Sequence, residues 1–460
     1  MKSNYTKPKQ FLAVVFLLLI TNISMAQCWV KMETGRDHTL AIRDDGTLWA
    51  WGGNNSGQLG DNTPENRLIP TQVGTDSDWF QIAAGGRHSV ALKTDGTLWT
   101  WGYNSSGQLG TGTNDIEGFP VQIGTSNWIE IAAGANHTLA INSAGNMFAW
   151  GNNLKGQLGD GTTINKNVPT SVGGPLSWYQ IASFGDSNIG KQQGKILTWG
   201  DNSYGQLGNG NSTNLLLPTQ IGTATNWGKP TIGLYHTVVM KQDNTMWSWG
   251  RNDDSQLGDG TATDVLTPTQ ISDTDWFKVD AGNFHTVSVK NDATAWSWGD
   301  NGFGQLGDGT TITRNTPTPI TGIGNVVDAK AGNYFSIYRN NLGVIYATGI
   351  NNYGQLGDGT TINRNVPTAI VCPNSLSIEE KITNNSIFSI YPNPTSYILK
   401  IQVSNAEKLS NIKITDVLGK IVIESNEISN STDVQKLTNG IYCIQITINN
   451  KNYQQKFIKN

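Results

Sequence analysis

The sequence predicts an all-β protein, a seven-bladed β-propeller followed by a small antiparallel β-sandwich. The tetrapeptide Gly-Gln-Leu-Gly begins at Gly57, Gly107, Gly156, Gly205, Gly304 and Gly354, with Ser-Gln-Leu-Gly at Ser255, so one unit recurs seven times in steps of 49 or 50 residues. All 16 tryptophans fall inside that unit at fixed places. Beyond Cys372 both features stop and a shorter segment of alternating apolar and polar residues takes over. A repeat of this length, rich in turns and β-formers, is the mark of a blade that buries its faces only by stacking on its neighbours.

The second copy, "WFQIAAGGRHSVALKTDGTLWTWGYNSSGQLG", shows the elements in order. The run from the leading Trp to Ala-Ala-Gly, the His-Ser-Val-Ala-Leu run, the Leu-Trp-Thr-Trp-Gly run and the later Pro-x-x-Ile-Gly run read as four strands. Asp45-Gly46 and Asp95-Gly96 fall between the second and third, where a two-residue hairpin needs positive φ. Four antiparallel strands repeated seven times describe a propeller, with the large rings packing blade on blade.

The pairing of G-x-x-H-T with W-G-x-N-x-x-G-Q-L-G, from Cys28 to Cys372, resembles the regulator of chromosome condensation repeat family, whose members form seven-bladed propellers. The founding member exchanges nucleotide on a small GTPase in the nucleus; an export signal and an acidic chain argue against that role. Plant ultraviolet-receptor relatives place tryptophan after the glycine, where this chain has Arg36, Gly86, Ala135, Leu234 and Asn283.

Export is read from the first 26 residues. Lys2, Lys7 and Lys9 precede the apolar run Phe11 to Ile20, and Ser24-Met25-Ala26 supplies a small-x-small cut. The run is too short to span a bilayer, so no transmembrane segment is expected in the mature chain. Gln27 separates Ala26 from Cys28, which disfavours a lipid anchor there. Net charge is −4 and no basic patch dominates, so nucleic acid is not an expected partner. A self-contained ring predicts a monomer.

The five histidines, His38, His88, His137, His236 and His285, share one repeat position, where the fourth and seventh copies carry Ser187 and Phe335. Spread around a ring, they are expected to bond a neighbouring turn, not a metal. The Asp-Gly-Thr segments at Asp160, Asp259, Asp308 and Asp358 read as Asx-turns. No nucleophile, base and orienting group stand out, so no enzyme activity, cofactor or metal is expected. A binding or adhesion module for a surface protein or glycan is the leading reading, with a secreted hydrolase inhibitor as the alternative. Copies differ at the residue before Gly-Gln-Leu-Gly, where Tyr204, Phe303 and Tyr353 are candidate contacts on one rim, and at Phe184, Asp186, Tyr334 and Phe335.

Residues 373–386 read as a polar linker, and 387–460 as the sandwich. Tyr391-Pro392-Asn393-Pro394, then Asp416 to Gly419-Lys420, then Gly440 to Tyr442, and the closing Lys456 to Lys459 resemble the type A C-terminal sorting domain of the type IX secretion system of Bacteroidetes. That resemblance implies the type IX machinery as partner and the cell surface or medium as destination. Cys443 reads as a small buried apolar residue. Aligned with an ordinary copy, Cys28 takes the place of Asp78 and Cys372 that of Thr75, so a closed ring would bring the two together. We therefore expect a Cys28–Cys372 disulfide, which an exported chain can keep oxidised.

Overall fold

A computed structural model describes residues 28–173, 177–271, 274–373, 388–391, 395–403, 409–416, 420–425, 430–438, 440–448 and 451–459. The signal segment and the linker core therefore lie outside the described residues. The chain divides into two compact units, Met1–Pro373 and Asn374–Asn460.

In the first unit, seven sheets each contain four strands in strict chain order. Blade one comprises Trp29–Thr34, His38–Arg43, Leu48–Gly52 and Arg67–Gln72, from the axis outward. The inner strands of all seven blades line one central channel of about 790 Å³. The sequence explains the gradient. Second and third strands are buried on both faces and read as nearly continuous apolar or small runs, whereas each outer strand is an exposed edge that carries a proline, Pro70 in blade one. A register shift between Trp29 and Lys31 recurs at the same place in blades two, six and seven, keeping the leading Trp, or Val326 in blade seven, inside the blade while the next residues face the channel.

The hairpins between second and third strands close as the sequence requires. Asp45 Oδ1 accepts from the backbone N–H of Thr47 (3.1 Å) and from its hydroxyl (2.6 Å), and Trp49 donates to that hydroxyl at 2.8 Å. Gly46 sits at φ +77°, and a Cβ there would lie 2.1 Å from the Ser77 carbonyl oxygen. Blade six makes the same turn with Ala293 at φ +64°.

Tryptophans serve two packing tasks. The leading ring packs against third-strand rings of its own blade, as Trp29 does on Trp49 at 6.0 Å and Trp51 at 5.8 Å. The second third-strand ring crosses the seam: Trp101 donates to the Gln58 carbonyl of the blade before it at 2.9 Å, and Trp249 to that of Gln206 at 2.9 Å. The closing glycine of Gly-Gln-Leu-Gly makes room, since a Cβ on Gly208 would stand 2.6 Å from Trp249 Nε1.

No strand is exchanged where the ring closes, because blade one and blade seven are each complete in their own repeat. Besides the Lys330–Glu33 ion pair at 2.7 Å, three kinds of contact hold that seam. Trp29, Met32, Ala41 and Trp51 share a core with Phe335, Ile337, Ile345 and Leu356. The Thr39 hydroxyl and the Trp51 N–H both donate to the Gln355 carbonyl, at 2.9 and 3.0 Å. Cys28 and Cys372 form a disulfide with Cα atoms 6.2 Å apart.

The second unit packs a three-stranded sheet (Phe388–Tyr391, Ile398–Val403, Ser431–Asp433) and a four-stranded sheet (Leu409–Asp416, Ile421–Ser425, Gly440–Ile448, Lys451–Lys459) around one core of Leu399, Ile401, Ile412, Ile414, Ile444, Ile446 and Phe457. Alternation along Gly440–Ile448 buries Tyr442, Ile444 and Ile446, so Cys443 points the other way. It is a free thiol, only partly buried, and not the buried apolar residue the sequence suggested.

Candidate loop-face site

Hydrogen bonds first decide what the histidines do. His38 Nε2 lies 3.0 Å from the Ser89 hydroxyl of the next blade, His88 3.0 Å from Thr138, His236 2.9 Å from Thr286 and His285 2.9 Å from Ser336. Each of these hydroxyls already donates its proton to a glutamine carbonyl, as Ser89 does to Gln58 at 2.7 Å. The hydroxyl must therefore accept, which fixes the imidazole as the neutral Nε2–H tautomer. Nδ1 has no partner and lies against the conserved-position glycine of its own turn, where a Cβ on Gly85 would be 2.5 Å away. Burial drives the pKa of His38, His88, His236 and His285 down to about 3. The histidines bond the next blade's second strand, not an adjacent turn as anticipated. Among the described residues no group of three or more His, Cys, Asp or Glu could hold a metal ion.

The fourth and seventh copies depart for steric reasons. Phe184 occupies the glycine position of the G-x-x-H turn, and Ser187 replaces the histidine ring that would have filled that space. Phe184 lines the channel and, partly buried, packs against the core that holds Ile189, Ile232 and Trp249. Phe335 takes the histidine seat in blade seven and is 0% exposed within the closing seam. It cannot meet a partner, because its ring replaces an imidazole that is internal in the five blades that carry one.

The channel wall is polar but largely matched. Lys330 pairs with Glu33 at 2.7 Å, Lys278 with Asp328 at 3.2 Å, and Asp280 accepts from the Thr231 hydroxyl and the Ala331 N–H at 3.0 Å each. Burial pushes the carboxyls of Glu33 and Asp280 up, against the pull of Lys330. Burial opposes the Lys330 charge, but Glu33, Asp280 and Asp328 outweigh it and hold the ammonium above its usual range.

The loops that follow each third strand are rigid. In blade four, Asn202 donates to Asn209 (3.0 Å) and to the carbonyls of Asn211 and Thr213, while its Oδ1 accepts from Leu207 N–H at 2.9 Å. Gln206 Oε1 accepts from the Tyr204 N–H at 2.9 Å, and Gln305 and Gln355 hold Phe303 and Tyr353 likewise. In the Asp-Gly-Thr segments Asp160, Asp308 and Asp358 accept from their threonine's N–H and hydroxyl, as Asx-turns do. The residue before Gly-Gln-Leu-Gly is thus displayed from a fixed backbone.

On this face the rings join. Tyr204 meets Tyr235 at 4.8 Å, Tyr235 meets Phe284 at 5.9 Å, Phe284 stacks on Tyr334 at 5.4 Å, and Tyr334 meets Phe303 at 5.1 Å. The Arg251 guanidinium sits 5.4 Å from the centre of Tyr204, 5.7 Å from Tyr235 and 5.0 Å from Phe284. Arg251 also pairs with Asp253 at 3.2 Å and Asp254 at 3.3 Å. Burial, together with Asp300 and Asp254, raises the Tyr334 phenol; burial, with Tyr204, Asp201 and Asp186 on the same side, raises that of Tyr235. Asp186 accepts from Gln157 at 3.0 Å at one end of the arc. Tyr353, 38% exposed, stands apart beside Gly53.

The arc thus unites Tyr204, Phe303 and Tyr334 from the sequence reading with three residues it missed. Tyr235, Phe284 and Tyr334 occupy the place just before the histidine seat, which carries Asp37, Arg87, Asn136 and Asp186 in blades one to four. That switch from polar to aromatic was the available signal. Arg251 occupies the variable place of W-G-x-N.

In the second unit, the sequence-singled residues mostly build structure. Tyr442 is buried, donates to the Thr438 carbonyl at 2.9 Å and stacks on Phe457 at 5.7 Å. The Lys420 N–H donates to Asp416 Oδ1 at 3.0 Å. Gly440 pairs with the buried Lys459, Lys456 pairs with Cys443, and Tyr391 ends its strand 47% exposed. Pro392, Asn393, Pro394 and Gly419 lie outside the described residues.

These blades, with their G-x-x-H seams and Gly-Gln-Leu-Gly loops, define a repeat propeller of the chromosome-condensation-regulator type joined to a secretion tail. The chain belongs to the RCC1-like domain family, whose profile matches residues 19–338, and an RCC1 repeat matches residues 343–383. A secretion system C-terminal sorting domain matches residues 389–460. It directs the protein through the type IX system to the outer-membrane surface or medium. Among solved structures, human WBSCR16 is similar at 24% identity and TM-score 0.61, covering 67% of this chain and 85% of that one. Prp20p from Saccharomyces cerevisiae is similar at 25% identity and TM-score 0.62, covering 67% and 82%. Among the described residues no helix is long and apolar enough to cross a membrane.

Proposed function

We propose that the exported propeller is a non-catalytic binding module that captures a surface protein or glycan with the aromatic half of its loop face. The observation that carries this reading is the unbroken chain of rings from Tyr204 to Phe303, confined to blades four to seven and set on backbone held by the Asn and Gln side chains. Rigid, partly exposed aromatic clusters with polar surroundings are where binding energy concentrates, because their contact area costs little conformational entropy. A non-catalytic role agrees with histidines that are neutral, enclosed and bonded into blade seams. Prp20p, of the same fold, has reported binding to Gsp1p and histones, so a propeller of this kind can serve as a docking platform. The test is capture of host-matrix proteins, glycans and secreted hydrolases by the mature chain and by a variant with Tyr204, Phe303 and Tyr353 all changed to Ala. Loss of capture by the variant, with its melting temperature kept, is expected; capture equal to wild type overturns the reading.

A further inference from the structure

The loop face holds a built-in example of what its rings bind. Arg251 lies over three of them, Tyr204, Tyr235 and Phe284, with Asp253 and Asp254 beside its guanidinium. A planar guanidinium favours this geometry, because it stacks on ring faces while its edge N–H groups reach carboxylates.

Moving one blade around the ring repeats the arrangement with the cation missing. Phe284 takes the place of Tyr235, Tyr334 that of Phe284, and Asp300 that of Arg251. Phe284 and Tyr334 are stacked at 5.4 Å, and Phe303 adds a third ring 5.1 Å from Tyr334. Asp300 is fixed in place, accepting from the Gly302 N–H at 3.0 Å and from Gln305 Nε2 at 2.7 Å. Neither of these donors is a charged group. Asp254, at the place equivalent to Tyr204, is the second acid on this side. Across the arc lie Asp186, Asp201, Asp253, Asp254 and Asp300, and among the described residues their ion pairs are with Arg251 and, at 3.7 Å from Asp201, Lys155. Five carboxylates against two cations leave the patch short of positive charge.

We propose that the arc has two guanidinium seats, one filled by Arg251 and a second, over Phe284, Tyr334 and Phe303 beside Asp300, that takes an arginine side chain presented by a protein partner. This rests on the arc being the binding face and narrows its partner to a protein with an exposed arginine. Desolvated stacking of a cation on aromatic faces, with a carboxylate to hold its edge, supplies the selectivity.

The test uses isothermal titration of the full mature chain with an acetylated, amidated hexapeptide containing one arginine, and with the same peptide carrying citrulline or lysine in its place. Citrulline keeps the shape and removes the charge. The arginine peptide is expected to bind at least about tenfold more tightly than the citrulline form, with lysine between them. Asp300→Arg places an internal guanidinium in the second seat and is expected to abolish binding, while Arg251→Ala opens the first seat and raises the stoichiometry from one to two. Equal binding of arginine and citrulline peptides, unaltered binding by Asp300→Arg, or binding of a neutral hexasaccharide in place of the peptide overturns the proposal. If the Tyr204, Phe303 and Tyr353 variant loses its partner while no arginine peptide binds, the arc reading stands and the guanidinium seat falls. If that variant keeps its partner, the arc reading itself falls.

Discussion

Replacing Cys28 and Cys372 together by Ser removes the one covalent tie across the closing seam, and its effect can be worked out from the geometry. The two residues are 344 apart in sequence. Cross-linking a loop of that length takes roughly 19–20 cal/mol/K from the unfolded chain, or about 6 kcal/mol at 25 °C. A propeller of roughly 345 residues unfolds with an entropy near 0.7 kcal/mol/K, so the full effect corresponds to a fall in melting temperature of about 8 °C. The native ring should survive, because the Trp29, Trp51 and Phe335 core, the paired donations to the Gln355 carbonyl and the Lys330–Glu33 ion pair do not depend on the disulfide. Calorimetry of the double variant is expected to show a fall of about 4–8 °C, matched by the wild type under reductant. Hydrogen exchange should rise first in Trp29–Thr34 and Arg364–Ile370. Cys443→Ser should change nothing, its thiol being free. A double variant melting within a degree of oxidised wild type would refute the view of this disulfide as a clasp on the unfolded chain.

Two further outcomes follow from the seams and turns. His38, His88, His236 and His285 have folded pKa values of about 3 against about 6.5 unfolded, so the unfolded chain takes up protons first. Their stabilisation is complete above pH 6.5 and is lost as pH falls toward 3, at up to about 1.4 kcal/mol per pH unit for each. Tryptophan-monitored urea unfolding should therefore show a steep loss between pH 6.5 and 4.5; a flat profile there would contradict the neutral tautomer. At the hairpins, Ala293→Gly relieves a positive φ and should add about 0.5–1 kcal/mol, whereas Gly46→Ala drives a Cβ into the Ser77 carbonyl and should cost about 2 kcal/mol or more. Denaturant midpoints moving in the same direction for both would count against this account.

The architecture was readable because its determinants are local and repeated. A loop strung on one asparagine prints the same letter in all seven copies, and a tight hairpin turn and large third-strand rings recur at fixed spacing in most of them. The Cys28–Cys372 bond was also readable, since ring closure puts the first and last equivalent positions side by side. The loop-face site was legible only in part. Tyr204, Phe303 and Tyr353 stand out because they interrupt a motif, but Tyr235 and Phe284 hide next to histidines, and their union with Tyr334 depends on blades meeting in space. Phe335 misled for a physical reason. A deviation from a repeat marks either a surface that faces something new or an interior that has repacked, and letters alone do not separate the two. Cys443 shows the smaller version of this limit, where a one-residue shift in strand phase decides which face a side chain takes.

Sheet boundaries in this ring coincide with repeat boundaries, and a sulfur–sulfur bond joins its first and last blades. Duplicating or deleting one 49- or 50-residue stretch of coding sequence would therefore add or remove an entire sheet without rethreading any other. Every seam is made from equivalent surfaces, so no blade is privileged as the first. Such a ring can change its loop-face residues blade by blade, and the aromatic arc of blades four to seven beside the polar loops of one to three is what that independence produces.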